Sequence, residues 1–241
     1  RPAFLCNAPA APAGVEETTL LLHEHLDRSV FDVRFILNGH GPFFDQLIAA
    51  GAAVDVIPSH RRCSRGWWKE LTGALVSQQP DVVQLHLSRV NAWWLKRQWP
   101  RIKIVERLNM TRHGHGFYPL RWTWLDRWTA RWIDHFIVVS ESLKQQFVRR
   151  GYPESKMSVV HNGVSVADEP IESTLRSELG LTADTLLIGA VGRLTPQKGI
   201  DTFLAAAARI AEALPGARFV VAGEGEQGRE LRAQANDLNL G

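Results

Sequence analysis

Gly189-Ala190-Val191-Gly192-Arg193-Leu194-Thr195-Pro196-Gln197-Lys198-Gly199-Ile200 is the stretch on which the fold turns. Residues 186–191 before it are a short apolar run that reads as a strand. Residues 200–214 after it carry a helical period. In open α/β sheets, ligands bind outside the carboxyl ends of strands, so the turn between the two elements is a candidate site. Gly192 permits a tight turn there. Arg193 offers a planar fork of donors and Lys198 a point charge, and the pair suits a diphosphate. A helix opening at Gly199 adds partial positive charge. The order Lys-Gly excludes a Walker A loop, which needs Gly-Lys-Ser/Thr. The competing reading is an ordinary surface turn with two solvated cations.

The same alternation extends in both directions. Strands are predicted over residues 3–6, 31–37, 54–57, 81–86, 102–106, 136–139, 157–161, 186–191 and 218–222. Helices are predicted over 15–26, 43–50, 67–78, 119–134, 141–150, 200–214 and 228–238. Ser140 is placed to cap one of them and Gly151 to stop it. Short apolar strands alternating with helices imply parallel sheets with helices on both faces. Residues 165–173 are polar, contain Pro170 and show no period, which marks a linker. The expected architecture is therefore α/β, with two Rossmann-like doubly wound domains over 1–164 and 165–241. The second would be incomplete in this chain, because two strands do not make a doubly wound domain. Residues 1–13 superficially resemble a signal peptide. Their apolar run is short and broken by Pro9 and Pro12, so they read as the first strand and its loop.

Composition narrows the function. The 241 residues are 45% hydrophobic and 22% charged, which excludes disorder and coiled coil as whole-chain readings. No apolar run reaches the ~18–20 residues of a membrane span. Two cysteines make no disulfide framework, and a reducing compartment fits best. The net charge of +3 hides an asymmetry. Residues 61–131 hold 14 Lys and Arg against 4 Asp and Glu, a net of +10, and the remainder nets −7. Trp67, Trp68, Trp93, Trp94 and Trp99 lie in that stretch, near Arg62, Lys96 and Arg97. Trp and Arg together suit anionic lipid headgroups, so an anionic membrane surface is an expected partner. On the helix predicted at 119–134, Leu120, Trp124, Leu125, Trp128 and Trp132 form an arc that reads first as a core stripe. Nucleic acid is not expected, since no RNA-binding signature accompanies the basic residues.

Three further groups carry possible chemistry. Gly223-Glu224-Gly225-Glu226-Gln227-Gly228 is a literal G-x-G-x-x-G. Its two Glu residues oppose a pyrophosphate, and it sits in the second βα turn of its domain. It reads better as a tight turn lining a cleft. His86 ends a strand, which places it at the cleft. His113 and His115 have no Cys or carboxylate at ligand spacing, so no metal site is expected.

GRLTPQKGIDTFLAAAARI (192–210) resembles the donor-site signature of the GT-B glycosyltransferases of family 4 type. IDHFIVVSESLKQQFVRRGYPESKMSVVHNGV (133–164) resembles the segment that ends that family's acceptor domain. FVVAGEGEQGRELRAQA (219–235) resembles its next strand, glycine turn and helix. The resemblance implies that Arg193 and Lys198 contact the diphosphate of a nucleotide-sugar, with Gly192 at their turn. It also implies a glycine turn after the first strand, facing the donor phosphates. This sequence has Pro-Ala-Gly where the family commonly has Gly-Gly, and backbone N–H groups of Gly14 and Val15 would be the donors. Either Asn109 or His113 falls where the family often keeps a His near the reacting sugar, and the resemblance further implies that Gly223 and Gly225 contact the donor and that His86 lies on the acceptor side.

The expected activity is retaining transfer of a hexosyl group from a nucleotide-sugar to a glycan or lipid-linked acceptor, as in cell-envelope polysaccharide or glycolipid synthesis. No cofactor is implied, since the donor is a substrate. The expected location is cytoplasmic, with a peripheral association at the inner face of the membrane. The family's acidic pair, two Glu eight positions apart, is expected beyond residue 241. The alternatives are a related GT-B sugar-nucleotide epimerase and a non-catalytic membrane-surface binding protein.

Overall fold

A computed structural model describes residues 2–5, 14–58, 65–86, 89–109, 127–166 and 173–240. The chain divides into two compact units, Arg1–Val166 and Ala167–Gly241.

In the first unit seven strands form one sheet. They are β1 (Pro2–Leu5), β2 (Arg34–Leu37), β3 (Ala53–Val56), β4 (Val82–His86), β5 (Lys103–Leu108), β6 (His135–Val138) and β7 (Met157–Val159). The order is β3-β2-β1-β4-β5-β6-β7, and every pairing is parallel. β2 buries its last three residues in succession and β4 its last four. Burial that does not alternate means cover on both faces, as a parallel sheet requires. Helices Gly14–His25, Pro42–Ala49, Arg65–Gln78, Arg89–Gln98 and Glu141–Arg149 supply it. The core holds Leu71, Leu75, Val83, Leu85, Leu95, Ile104, Ile133, Phe136 and Val138, all at most 1% exposed.

Chain order reverses between β1 and β4, with Leu5 opposite Leu85. That is the topological switch point of the sheet. The carboxyl ends of β1 and β4, at Leu5 and His86, therefore belong to the same edge.

Local signals explain most boundaries. The Ser140 hydroxyl accepts from the Leu143 N–H at 3.2 Å, so the predicted cap is formed. Gly151 then takes φ +84°, a left-handed residue that ends the helix. Helix Arg89–Gln98 is absent from the sequence expectation. Its Arg, Asn, Lys and Gln weaken the apolar period, and among its described side chains only Ala92 and Leu95 are fully buried. Helix Leu175–Glu178, one turn long, also escaped notice. Of the helix expected over 119–134, residues 119–126 lie outside the described set. The described remainder is helical only over 127–130. Asp134 is taken by another task. Its N–H donates to the Ile104 carbonyl (2.9 Å), and its Oδ2 accepts from the Ile104 N–H (2.7 Å) and Lys96 Nζ (2.7 Å). Burial works to raise the Asp134 carboxyl, but the bonds from Lys96 and Ile104 outweigh it and hold the group below its ordinary value.

In the second unit β8 (Leu187–Val191) and β9 (Arg218–Ala222) pair in parallel. Helices Ile200–Ala213 and Gly228–Asp237 pack on them through Ile200, Leu204 and Leu231.

Candidate functional site

The loop after β8 is organised by the loop after β9. Parallel pairing continues past both strand ends: Gly192 N–H donates to the Ala222 carbonyl (3.0 Å) and Leu194 N–H to the Glu224 carbonyl (2.8 Å). Gln227 N–H closes the set on the Leu194 carbonyl at 3.1 Å. Such close backbone approach leaves no room for side chains. A Cβ on Gly223 would stand 1.9 Å from the Gly192 oxygen, and one on Gly225 2.4 Å from the Leu194 oxygen. Gly223 also holds φ +149°. The first two glycines of the G-x-G-x-x-G thus seat one loop against the other.

On this support, Pro196–Lys198 forms a 3₁₀ turn. Gly199, at φ +63°, then redirects the chain into the helix Ile200–Ala213. Arg193 and Lys198 are both exposed. The Lys198 methylenes run past Gly192, 3.5–3.7 Å from where a Cβ would sit. Neither cation has a side-chain partner among the described residues. Two free cations beside a 14-residue helix N-terminus make a surface ready for an anion.

In the first unit, Gly14 opens its helix. The carbonyls of Gly14 and Val15 accept from Thr18 Oγ1 at 2.6 and 3.2 Å, and Val15 also accepts from Thr19 at 2.7 Å. The Gly14 and Val15 N–H groups lie in the first turn of the helix, where no intrahelical acceptor is available. His86 is 3% exposed. Gln84 donates its amide to His86 Nε2 at 2.9 Å, which leaves the ring proton on Nδ1, where it is buried without a partner among the described residues. Asn109 follows β5 with its Oδ1 likewise buried and unpartnered. His113 lies outside the described residues.

Burial, and then the Arg107 charge, lower the His86 pKa to about 4. The imidazole is therefore neutral at pH 7, a hydrogen-bonding group and not a cation. The unfolded chain binds a proton near pH 6.5 that the folded chain refuses until about pH 4. The associated stability is fully present above pH 6.5 and lost as pH falls toward 4, about 3 kcal/mol in all. Urea titrations across that window should show the loss in the wild type and a smaller one in His86→Gln. Equal slopes for the two proteins would remove His86 as the source.

The aromatic part of the membrane expectation needs correction. Trp67 and Trp68 are 9% and 8% exposed and belong to the core. Their rings meet edge to face at 4.8 Å, Trp94 lies 5.0 Å from Trp68, and its indole N–H donates to Thr72. Trp99 and Trp132 also pack on that core. Tryptophan gains more by filling the broad gap between helix and sheet than by lying on the surface. The basic excess is partly spent inside too, on Lys96 and Arg107. Lys69, Arg97, Arg101 and Lys103 remain exposed. Among the described residues no helix is long and apolar enough to cross a membrane, and no group of His, Cys, Asp and Glu could hold a metal ion.

The description Glycosyltransferase Family 4 matches residues 12–168, and Glycosyl transferases group 1 matches 172–241. The chain belongs to glycosyltransferase family 4. An Escherichia coli relative, UDP-Gal:alpha-D-GlcNAc-diphosphoundecaprenol alpha-1,3-galactosyltransferase, is 28% identical over 95% of this chain and 63% of its own. D-inositol 3-phosphate glycosyltransferase of Mycobacterium bovis is 30% identical over 59% of this chain and 32% of its own. HepE of Anabaena, solved in complex with UDP, superposes with a TM-score of 0.78 at 20% identity, over all of this chain and 66% of its own. The architecture is that of the GT-B fold. The chain thus spans about two thirds of the E. coli relative and of HepE.

Against that family background, two residues stand out that sequence reading passed over. Arg107, 8% exposed, lies opposite His86 in the β4–β5 register and donates to Asn162 Oδ1 at 2.7 Å. Burial pulls its guanidinium below its ordinary value. The available signal was a charged pair, Glu106-Arg107, inside an apolar strand.

Proposed function

We propose that this family 4 chain belongs to a retaining glycosyltransferase whose second unit holds a nucleotide-sugar and whose first unit holds the acceptor. The observation that carries the reading is the Gly192–Ile200 loop, with Arg193 and Lys198 exposed at the carboxyl edge of β8, ahead of a helix N-terminus. In the reaction the bond from the anomeric carbon to the diphosphate oxygen breaks. A bond forms to an acceptor hydroxyl oxygen, whose proton is released. Negative charge grows on the departing nucleoside diphosphate. Two cations and an aligned helix dipole at the same loop oppose that charge, the kind of electrostatic contribution such a site relies on most. Since these groups belong to the protein, transfer is expected to proceed without a divalent ion.

Asn109 and His113 are assigned to the reacting sugar, Gly14 and Val15 to the donor phosphates, and His86 to the acceptor side. The E. coli relative acts, by its name, on a polyprenyl-diphosphate-linked sugar. It supports a glycan or lipid-linked acceptor here, met at the cytoplasmic face of a membrane. Lys69, Arg97, Arg101 and Lys103 would supply charge for that association, about 1 kcal/mol each near an anionic bilayer.

Incubation of the full-length protein with nucleotide-sugars and lipid-linked acceptors tests the reading. The expected product is a new glycoside with the donor's anomeric configuration, read from NMR couplings and formed at an unchanged rate in EDTA. An inverted product would overturn retention, and activity restored only by Mg²⁺ would overturn metal independence. Epimerised nucleotide-sugar without transfer would assign an epimerase.

A further inference from the structure

We propose that Arg107, with His86 opposite it, binds an anionic group of the acceptor, a phosphate, at the carboxyl edge of the first sheet. The inference rests on the acceptor role given to the first unit and specifies the chemistry it recognises.

The argument begins with an imbalance of charge. Arg107 is 8% exposed. Among the described residues its guanidinium has one hydrogen-bond partner, the neutral Asn162, and no carboxylate. Its Nε–H is buried without a partner. A buried charge lacking a counter-charge is costly, and removing the partner of such a group is among the most destabilising changes known. The neighbouring group repeats the pattern. His86 accepts from Gln84 on one nitrogen, and the other, a donor in that tautomer, is also buried and unsatisfied.

Two unsatisfied donors on register-paired residues, one of them cationic, call for an oxygen-rich anion. Position agrees: His86 ends β4 and Arg107 is the penultimate residue of β5, so both lie at the carboxyl edge, and β4 borders the switch point. Guanidinium geometry favours phosphate, whose oxygens can engage Nε and a terminal nitrogen together.

A structural role for Arg107, tethering Asn162, makes a different prediction, so thermal unfolding can separate the two. The 241-residue chain is first given Arg193→Gln and Lys198→Gln, to remove the anion surface of the second unit. In that background the Tm should rise with inorganic phosphate, against chloride at matched ionic strength. Glucose 1-phosphate should raise it at lower concentration, and glucose should not raise it. Adding Arg107→Met should abolish the response while leaving Tm in chloride unchanged or higher, since an uncompensated charge is gone. Arg107→Lys should keep a weakened response.

A phosphate response that survives Arg107→Met overturns the proposal, as does a loss of Tm in chloride with no phosphate response in either protein. Equal concentrations of phosphate and glucose 1-phosphate for the same rise would mark a free-anion site and overturn the acceptor assignment. None of these readings uses transfer activity, so failure here and failure of the glycosyltransferase reading are distinguishable.

Discussion

Gly223→Ala should destabilise the second unit by about 3–5 kcal/mol, the sum of an overpacked contact and a positive-φ backbone position, and Gly225→Ala by about 3 kcal/mol, from the overpacked contact alone. The reason is geometric. The added Cβ would lie 1.9 Å from a backbone oxygen at position 223 and 2.4 Å at position 225. Backbone cannot swing aside as a long side chain can. The loops must separate, breaking the Gly192-to-Ala222 and Leu194-to-Glu224 bonds that aim Arg193 and Lys198. Gly228→Ala is the control. Its Cβ would make an ordinary 3.5 Å contact with Leu194 at the start of a helix, where alanine is the better helix former. The expected series in chemical denaturation is two severe losses and one near-neutral change. If all three variants unfold with the wild type, the paired loops do not hold the unit together.

If the proposed transfer reaction holds, Arg193→Ala and Lys198→Ala should each cost about 2–4 kcal/mol of transition-state stabilisation in the full-length protein, the scale of losing one donor to a developing anion. In kcat/KM that is a fall of roughly 30- to 1,000-fold. Both side chains are exposed, and neither has a hydrogen-bond or ion-pair partner among the described residues. Stability should therefore stay within about 0.5 kcal/mol of wild type, as surface changes usually do. A kinetic loss without a stability loss separates these residues from Gly223 and Gly225, where both should fall together. The loss should appear in kcat as well as KM, because the charge opposed is largest as the diphosphate departs. Turnover within twofold of wild type for both variants would withdraw the donor site from this loop.

The fold was legible because its signals are local. Alternating apolar runs and helical periods located the nine strands of the described residues to within a few positions, and Ser140 and Gly151 marked their helix ends correctly. Arg193 and Lys198 were legible for the same reason: cations between a strand and a helix are near one another whatever the rest of the chain does. The helix Arg89–Gln98 was not, because its period is diluted by polar residues that only the neighbouring sheet makes tolerable.

Chain order alone could not show which distant segments share an edge. The sheet order placed His86 of β4 opposite Arg107 of β5, and brought Asn162 to that guanidinium across 55 residues. Packing reversed the meaning of the tryptophans. Trp67 and Trp68 sit in a basic stretch, yet the apolar helix–sheet gap takes them as core, because burying an indole outweighs the pull of nearby surface charge. The glycine motif changed meaning as well. Its spacing is a property of the sequence, but only the contact between two loops explains why Gly223 and Gly225 cannot carry a side chain. Periodicity and turn chemistry act over a few residues and are written in the sequence. Burial, charge compensation and close backbone approach depend on segments far apart in the chain, and they exist only once it has folded.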